Sequence, residues 1–84
     1  MSLTVVLYGR PECHLCDDAR AVIERVRADT PFDLVQRNIE TDEALLRRYL
    51  ERIPVVEIAG EEAFELFVDE AELRERLAAA AAKS

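Results

Sequence analysis

Leu3-Thr4-Val5-Val6-Leu7-Tyr8-Gly9-Arg10-Pro11-Glu12-Cys13-His14-Leu15-Cys16 is the stretch on which the fold turns. Its first six residues are a nearly continuous apolar run, the pattern of a central strand covered on both faces. Gly9 to Glu12 breaks the run. From His14 to about Ala28 the apolar positions Leu15, Ala19, Val22, Ile23 and Val26 form a helical stripe, with charges on the other face. A buried strand therefore feeds a loop that ends on a cysteine, and a helix opens there.

Downstream, Phe32 to Ile39 alternates roughly, with Asp33, Val35 and Arg37 on one face, as suits a more exposed strand. Thr41 or Asp42 can cap a second helix with Leu45, Leu46, Tyr49 and Leu50 as its apolar face. It must end by Arg52, because Pro54 biases Ile53 away from the helical region. Pro54 to Ile58, a turn at Ala59-Gly60-Glu61, and Ala63 to Phe67 read as a hairpin. Asp69 opens the last helix, Glu72 gives it a capping-box-like pair, and Val68 can staple against Leu73. The Ala78–Ala82 run favours helix, and Lys83 suits the C-terminal dipole. The order β-α-β-α-β-β-α predicts an α/β domain with a four-stranded mixed sheet and three helices. Each β-α-β step is read as a parallel, right-handed crossover.

At 84 residues the chain has room for one core, so residues 1–84 are read as a single domain. The net charge of −7 is spread evenly, with 5 basic and 8 acidic groups in residues 1–42 and 6 and 10 in residues 43–84. No basic patch is present to neutralise phosphates, which argues against a nucleic-acid partner. No apolar run approaches the roughly 20 residues that span a bilayer. Nor does a basic segment precede the short apolar stretch at the N-terminus. The expectation is a cytoplasmic protein with no membrane partner, working as a monomer.

Both cysteines lie within four residues, and a bridge that short closes almost no loop. Reactivity or metal binding explains the pair better than stapling does. Cys13 falls at or next to the helix N-cap, where unpaired N–H groups and the helix dipole stabilise an anion, so it is the expected attacking thiolate. Cys16, one turn along, is near enough to resolve a mixed disulfide. Arg10 and a protonated His14 would stabilise the Cys13 thiolate; Glu12, Asp17 and Asp18 would oppose it. His14 reads as a tuning partner, a metal ligand or a solvated first-turn residue. Cys13, His14 and Cys16 are the only Cys or His residues in the chain, one short of a closed zinc site, so no metal is expected.

Tyr8-Gly-Arg-Pro-Glu-Cys-His-Leu-Cys16, Ile53-Pro54 ahead of a hairpin, and Asp69-Glu70 opening the last helix together resemble a glutaredoxin. The closer resemblance is to the bacterial glutaredoxin-like family marked by C-H-L-C and following acidic residues, and it covers essentially the whole chain. It implies a thioredoxin fold with sheet order 2-1-3-4 and a cis Ile53–Pro54 bond beside the cysteines. From the residues alone, a trans bond at a strand start is the default. The resemblance also implies that the backbone at Ile53 and Pro54 docks an extended substrate segment by strand addition. Arg10 takes the place of a basic residue that attracts a glutathione carboxylate; read alone, it is equally a solvated loop arginine. The Asp69-Glu70 helix start, with its backbone N–H groups and acids, would hold a glutathione backbone.

Four departures accompany the likeness. Leu66-Phe67 stands where glutaredoxins carry a diglycine, and His14-Leu15 where Pro-Tyr is common between the cysteines. No Trp is present, and strand one lacks the buried acid of thioredoxins. The expected function is a thiol–disulfide oxidoreductase or electron donor with no bound cofactor. Its partner would be a disulfide-containing protein or a small thiol, and its electrons would come from glutathione or a flavoprotein thioredoxin reductase. The alternatives are a thioredoxin-fold binding module for a protein or metal, with incidental redox activity, and an iron–sulfur cluster bridged between two chains.

Overall fold

In the computed structural model, residues 3–83 are described. The elements are β1 (Thr4–Gly9), α1 (His14–Asp29), β2 (Asp33–Asn38), a one-turn 3-10 helix (Ile39–Thr41), α2 (Glu43–Tyr49), β3 (Val55–Ile58), β4 (Glu61–Glu65) and α3 (Glu70–Lys83). The sheet order is β2-β1-β3-β4, the 2-1-3-4 arrangement expected. β1 pairs parallel to β2 and antiparallel to β3, and β4 pairs antiparallel to β3.

The second β-α-β step departs from the expectation of parallel pairing, because β3 runs opposite to β1. The cause is length. A helix of 7 residues rises only about 10 Å, whereas a strand of 6 residues runs about 20 Å. The chain therefore re-enters the sheet at the end where β2 left it, and Ile53-Pro54 arrives at the end of β1 that leads into Cys13.

Each face of the sheet is covered. Val5 and Leu7 pack with Ala19, Ile23 and Val26 of α1 and Leu73 and Leu77 of α3. Val6 and Tyr8, on the alternate positions of β1, meet Tyr49, Leu45 and Leu46 of α2. In α1 the buried stripe is Cys16, Ala19, Ile23 and Val26, at spacings of three and four. Leu15, expected in that stripe, lies at its edge, about 60° from its centre, in the first turn of α1, and is half exposed. Leu50 likewise lies outside the apolar face of α2, as its exposed C-cap. β2 is an edge strand with Asp33, Val35 and Arg37 exposed, as its alternation predicts.

The hairpin is tighter than its composition suggests. Ala59 (φ 52°) and Gly60 (φ 85°) are both left-handed. They make a two-residue turn whose twist suits the strands, so Ile58 pairs directly with Glu61. β4 thus begins at Glu61 instead of Ala63, and it stops at Glu65 because Leu66 (φ 73°) leaves the extended region. A bulge opposite Val56/Glu57 leaves Ala63 without a partner across the pair.

Asp42, of the two cap candidates, caps α2, its Oδ1 accepting from the N–H of Ala44 (2.8 Å) and of Leu45 (3.3 Å). At α3, Asp69 Oδ2 accepts from Glu72 N–H at 2.9 Å, and Val68 and Leu73 are buried in one cluster, as the staple requires. The Glu72 carboxylate pairs forward with Arg76 at 3.0 Å, so the capping box is half made. The Lys83 side chain lies outside the described part of the structure.

Glu70 ties α3 to α1, accepting from Arg25 Nε at 2.8 Å and from Arg74 at 3.2 Å. These two guanidinium groups hold its carboxyl below the ordinary value of 4.5, and Arg52 does the same for Glu62. A carboxyl whose folded pKa is depressed stabilises the fold above its unfolded value, and that contribution disappears as the pH falls through the folded one. Urea midpoints are expected to fall progressively below about pH 4.5, and Glu70→Gln should flatten that acid limb. An acid limb unchanged by the substitution would assign it to other carboxylates.

Candidate functional site

The site lies where β1 ends and α1 begins. Cys13 is the N-cap of α1 (φ −116°, ψ 107°), and its Sγ accepts from the Cys16 N–H at 3.1 Å. Its carbonyl takes the first helical hydrogen bond, from Asp17 N–H at 3.0 Å. The Cys13 sulfur therefore occupies the place of the side-chain oxygen in an ordinary N-cap, facing the positive end of the helix.

Cys13 and Cys16 are paired as a disulfide, with Cα atoms 5.2 Å apart. That separation lies within the range a disulfide spans, so interconversion with the dithiol needs no large backbone movement. The two sulfurs differ in access: Cys13 is half-buried, whereas Cys16 is only 7% exposed. An incoming group can reach the first and not the second.

Gly9 makes the close packing of Cys16 possible. A Cβ there would stand 3.0 Å from Cys16 Sγ and 3.2 Å from Cys16 Cβ. Only a residue without a side chain lets the helix start sit so near the strand end. Gly9→Ala is expected to destabilise the oxidised protein by about 1–3 kcal/mol, the usual cost of overpacking. The measurement is the urea midpoint, and an unchanged midpoint would mean that the helix start shifts freely.

The floor of the site is aromatic. Tyr8 and Tyr49 lie with ring centroids 4.6 Å apart, in one cluster with Cys16, Ile53 and Val55, against which Cys13 packs. The Tyr8 hydroxyl donates to Glu57 Oε1 at 3.1 Å. Burial and that hydrogen bond push its phenol pKa up, so it remains a neutral donor.

The Ile53–Pro54 bond is cis, as the resemblance implies, and both residues are buried. The Leu66 N–H donates to the Pro54 carbonyl at 2.9 Å and to the Arg52 carbonyl at 3.2 Å, which fastens the start of the α3 loop to this segment. Leu66 and Phe67 turn outward, 48% and 67% exposed, and Leu15 is also exposed. Of the three non-glycine residues with positive φ, Glu12 (φ 58°) immediately precedes Cys13 and Leu66 (φ 73°) holds Pro54. One strained backbone position thus adjoins the accessible cysteine and another is fastened to the cis-proline segment.

His14, the first residue of α1, is exposed, and no ion pair or hydrogen bond holds its ring among the described residues. Those residues contain no group of three or more His, Cys, Asp and Glu side chains gathered as metal ligands. Asp69 spends one carboxylate oxygen on capping α3, and Glu70 is engaged by Arg25 and Arg74. Arg10 is exposed and lines a cavity beside Cys16.

Gly9, Tyr49 and Arg37 are members of the site that sequence reasoning missed. Gly9, one of two glycines in the chain and the last residue of β1, carried a readable signal. The nearness of Arg37 follows only from the parallel register that sets it opposite Tyr8.

Solved structures resemble this fold closely. Protein Ne2328 of Nitrosomonas europaea is 30% identical with a TM-score of 0.80, over 92% of this chain and 93% of that one. Protein XcR50 of X. campestris is 33% identical with a TM-score of 0.75, over 89% and 96%. A mutant thioredoxin of Halobacterium salinarum, 19% identical with a TM-score of 0.69 over 93% and 74%, shares the fold. No curated protein matches the chain. The match to the family described as Glutaredoxin-like domain (DUF836) runs over residues 4–78, from the first strand through most of α3, and the chain belongs to that family.

Proposed function

We propose that the protein is a thiol–disulfide oxidoreductase that reduces disulfides with the Cys13–Cys16 dithiol. The observation that carries this reading is the asymmetry of the pair, with an accessible sulfur at a helix N-cap and a shielded one a turn behind it. The Cys13 thiolate attacks one sulfur of a substrate disulfide and forms a mixed disulfide, and the other substrate thiol leaves and takes up a proton. Cys16 then gives up its proton and attacks Cys13 Sγ, and the second substrate thiol departs. The chain ends as the Cys13–Cys16 disulfide, and the substrate has gained two electrons and two protons.

The cytoplasm, where thiols are kept reduced, is the compartment such a dithiol suits. Ile53 and Pro54 are the backbone on which an extended substrate would dock, and exposed Leu15, Leu66 and Phe67 give that approach an apolar border. A protein disulfide fits this border better than a small polar thiol does, which favours a flavoprotein reductase as electron source over glutathione. Arg10 and the second carboxylate oxygen of Asp69 are the charged contacts open to a substrate backbone, while Glu70 reaches it only by giving up Arg25 or Arg74.

Two measurements test the reading. A brief pulse of iodoacetamide at neutral pH is expected to label Cys13 of the reduced protein first, and label chiefly on Cys16 would reverse the roles. Equilibration with glutathione buffers is expected to give a potential between about −200 and −270 mV, the span from glutaredoxins to thioredoxin. A value below about −300 mV would mark the disulfide as structural and end the proposal.

A further inference from the structure

The arginines of this protein are almost all paired with carboxylates, and the two exceptions fall together. Arg20, Arg25, Arg27, Arg47, Arg48, Arg52, Arg74 and Arg76 each have a carboxylate within ion-pair distance. Among the described residues only Arg10 and Arg37 have none. In a chain of net charge −7, two unpaired guanidinium groups are a minority feature, and both line one cavity of about 300 Å³.

That cavity sits between the C-terminal ends of β1 and β2 and the first turn of α1, with Gly9, Cys16, Gln36 and Asn38 in its wall. The parallel register brings it together by setting Tyr8 beside Arg37 and Gly9 beside Asn38. Asn38 Oδ1 already accepts from the Glu40 N–H at 2.9 Å, which leaves its amide NH₂ as the available group. Asp17 is engaged by Arg20 at 3.6 Å. Glu12 also borders the cavity but forms an ion pair with neither Arg10 nor Arg37. The volume lies at the small end of ligand sites and suits a compact molecule.

We propose that this cavity is a binding site for a small anion, a carboxylate or a phosphate, held between Arg10 and Arg37 beside Cys16. Planar guanidinium forks match both oxyanions, and charge-assisted hydrogen bonds from two of them provide affinity and orientation. The cavity includes neither Ile53, Pro54 nor Asp69, and Arg10 is the one residue it shares with the contacts proposed for a substrate backbone. The inference stands independently of the redox reading, because it concerns binding to the oxidised protein, which has no free thiol to react.

The test is a titration of the oxidised, isotope-labelled protein with inorganic phosphate and, separately, with succinate, at constant pH and ionic strength. Amide resonances of Gly9 and Asn38 report on the site. A saturable shift is expected with at least one probe and not with chloride. Arg10→Ala and Arg37→Ala are each expected to weaken binding about tenfold or more. Glu12→Gln should tighten it, while Arg47→Ala, in the last turn of α2 and outside the cavity lining, should leave it unchanged. Saturation by phosphate alone assigns a phosphorylated ligand, by succinate alone a carboxylate, and by both a general oxyanion site. Absence of saturation with either probe, or affinities unaltered in both cavity-arginine variants, would overturn the proposal.

Discussion

Cys13→Ser is expected to reduce disulfide reduction to the uncatalysed background, while Cys16→Ser is expected to stop after the first half of the reaction with substrate attached. The difference follows from where each sulfur stands. Only Cys13 is accessible, and only Cys13 occupies the N-cap, where the Cys16 N–H donates to it and the helix dipole favours an anion. A serine hydroxyl there keeps the hydrogen bond and the helix start but is not ionised near neutral pH, so the nucleophile is lost and the fold is kept. At position 16 a serine is smaller than the cysteine packed against Gly9, so it fits, but it cannot release the mixed disulfide. With a protein disulfide as substrate and no glutathione present, Cys16→Ser should accumulate a covalent adduct. Mass spectrometry reads that adduct, which should disappear on adding dithiothreitol. Normal turnover by Cys13→Ser would mean that Cys16 can act alone, against its burial.

Much of this site was legible because its elements are local. The apolar run of β1, the helical period after Cys13 and the caps at Asp42 and Asp69 each depend on residues within one turn of one another. The errors have the opposite character. Leu15 is apolar and at helical spacing from Ala19, yet it stands at the edge of the stripe in the first turn of α1, where Cys16 is the residue turned into the core. The hairpin boundary depends on Ala59 adopting φ 52°, which its composition does not suggest. The direction of β3 depends on α2 being only two turns long, a count that fixes which end of the sheet the chain re-enters. Gly9 and Arg37 owe their roles to contacts made across the sheet. The reactive cysteine can be read from its own neighbours, whereas the surroundings that set its partners cannot.

Glutathione is expected to be a poor electron source for this protein, and the reason lies in two side chains after β4. A diglycine there would leave bare backbone beside the docking edge; Leu66 and Phe67 place two large apolar groups at that border instead, both facing solvent. The Leu66 N–H is bonded to the Pro54 carbonyl, so this loop cannot swing aside without giving up that bond. A small, highly polar tripeptide must pass these groups or displace them. Ordering or displacing two exposed side chains costs about 1–3 kcal/mol, a loss of roughly ten- to a hundredfold in affinity. Paired assays on one mixed-disulfide substrate test this, one driven by glutathione with glutathione reductase and the other by NADPH with thioredoxin reductase. The second is expected to be faster, and fast turnover in the first alone would sink the prediction. The double variant Leu66→Gly/Phe67→Gly should raise the glutathione-driven rate by about the same ten- to a hundredfold. It also makes a clean test, since glycine at position 66 removes a left-handed leucine that costs about 1–2 kcal/mol, and neither side chain belongs to the core. A gain in glutathione turnover with the fold intact would therefore identify the border of the cleft as what selects the reductant.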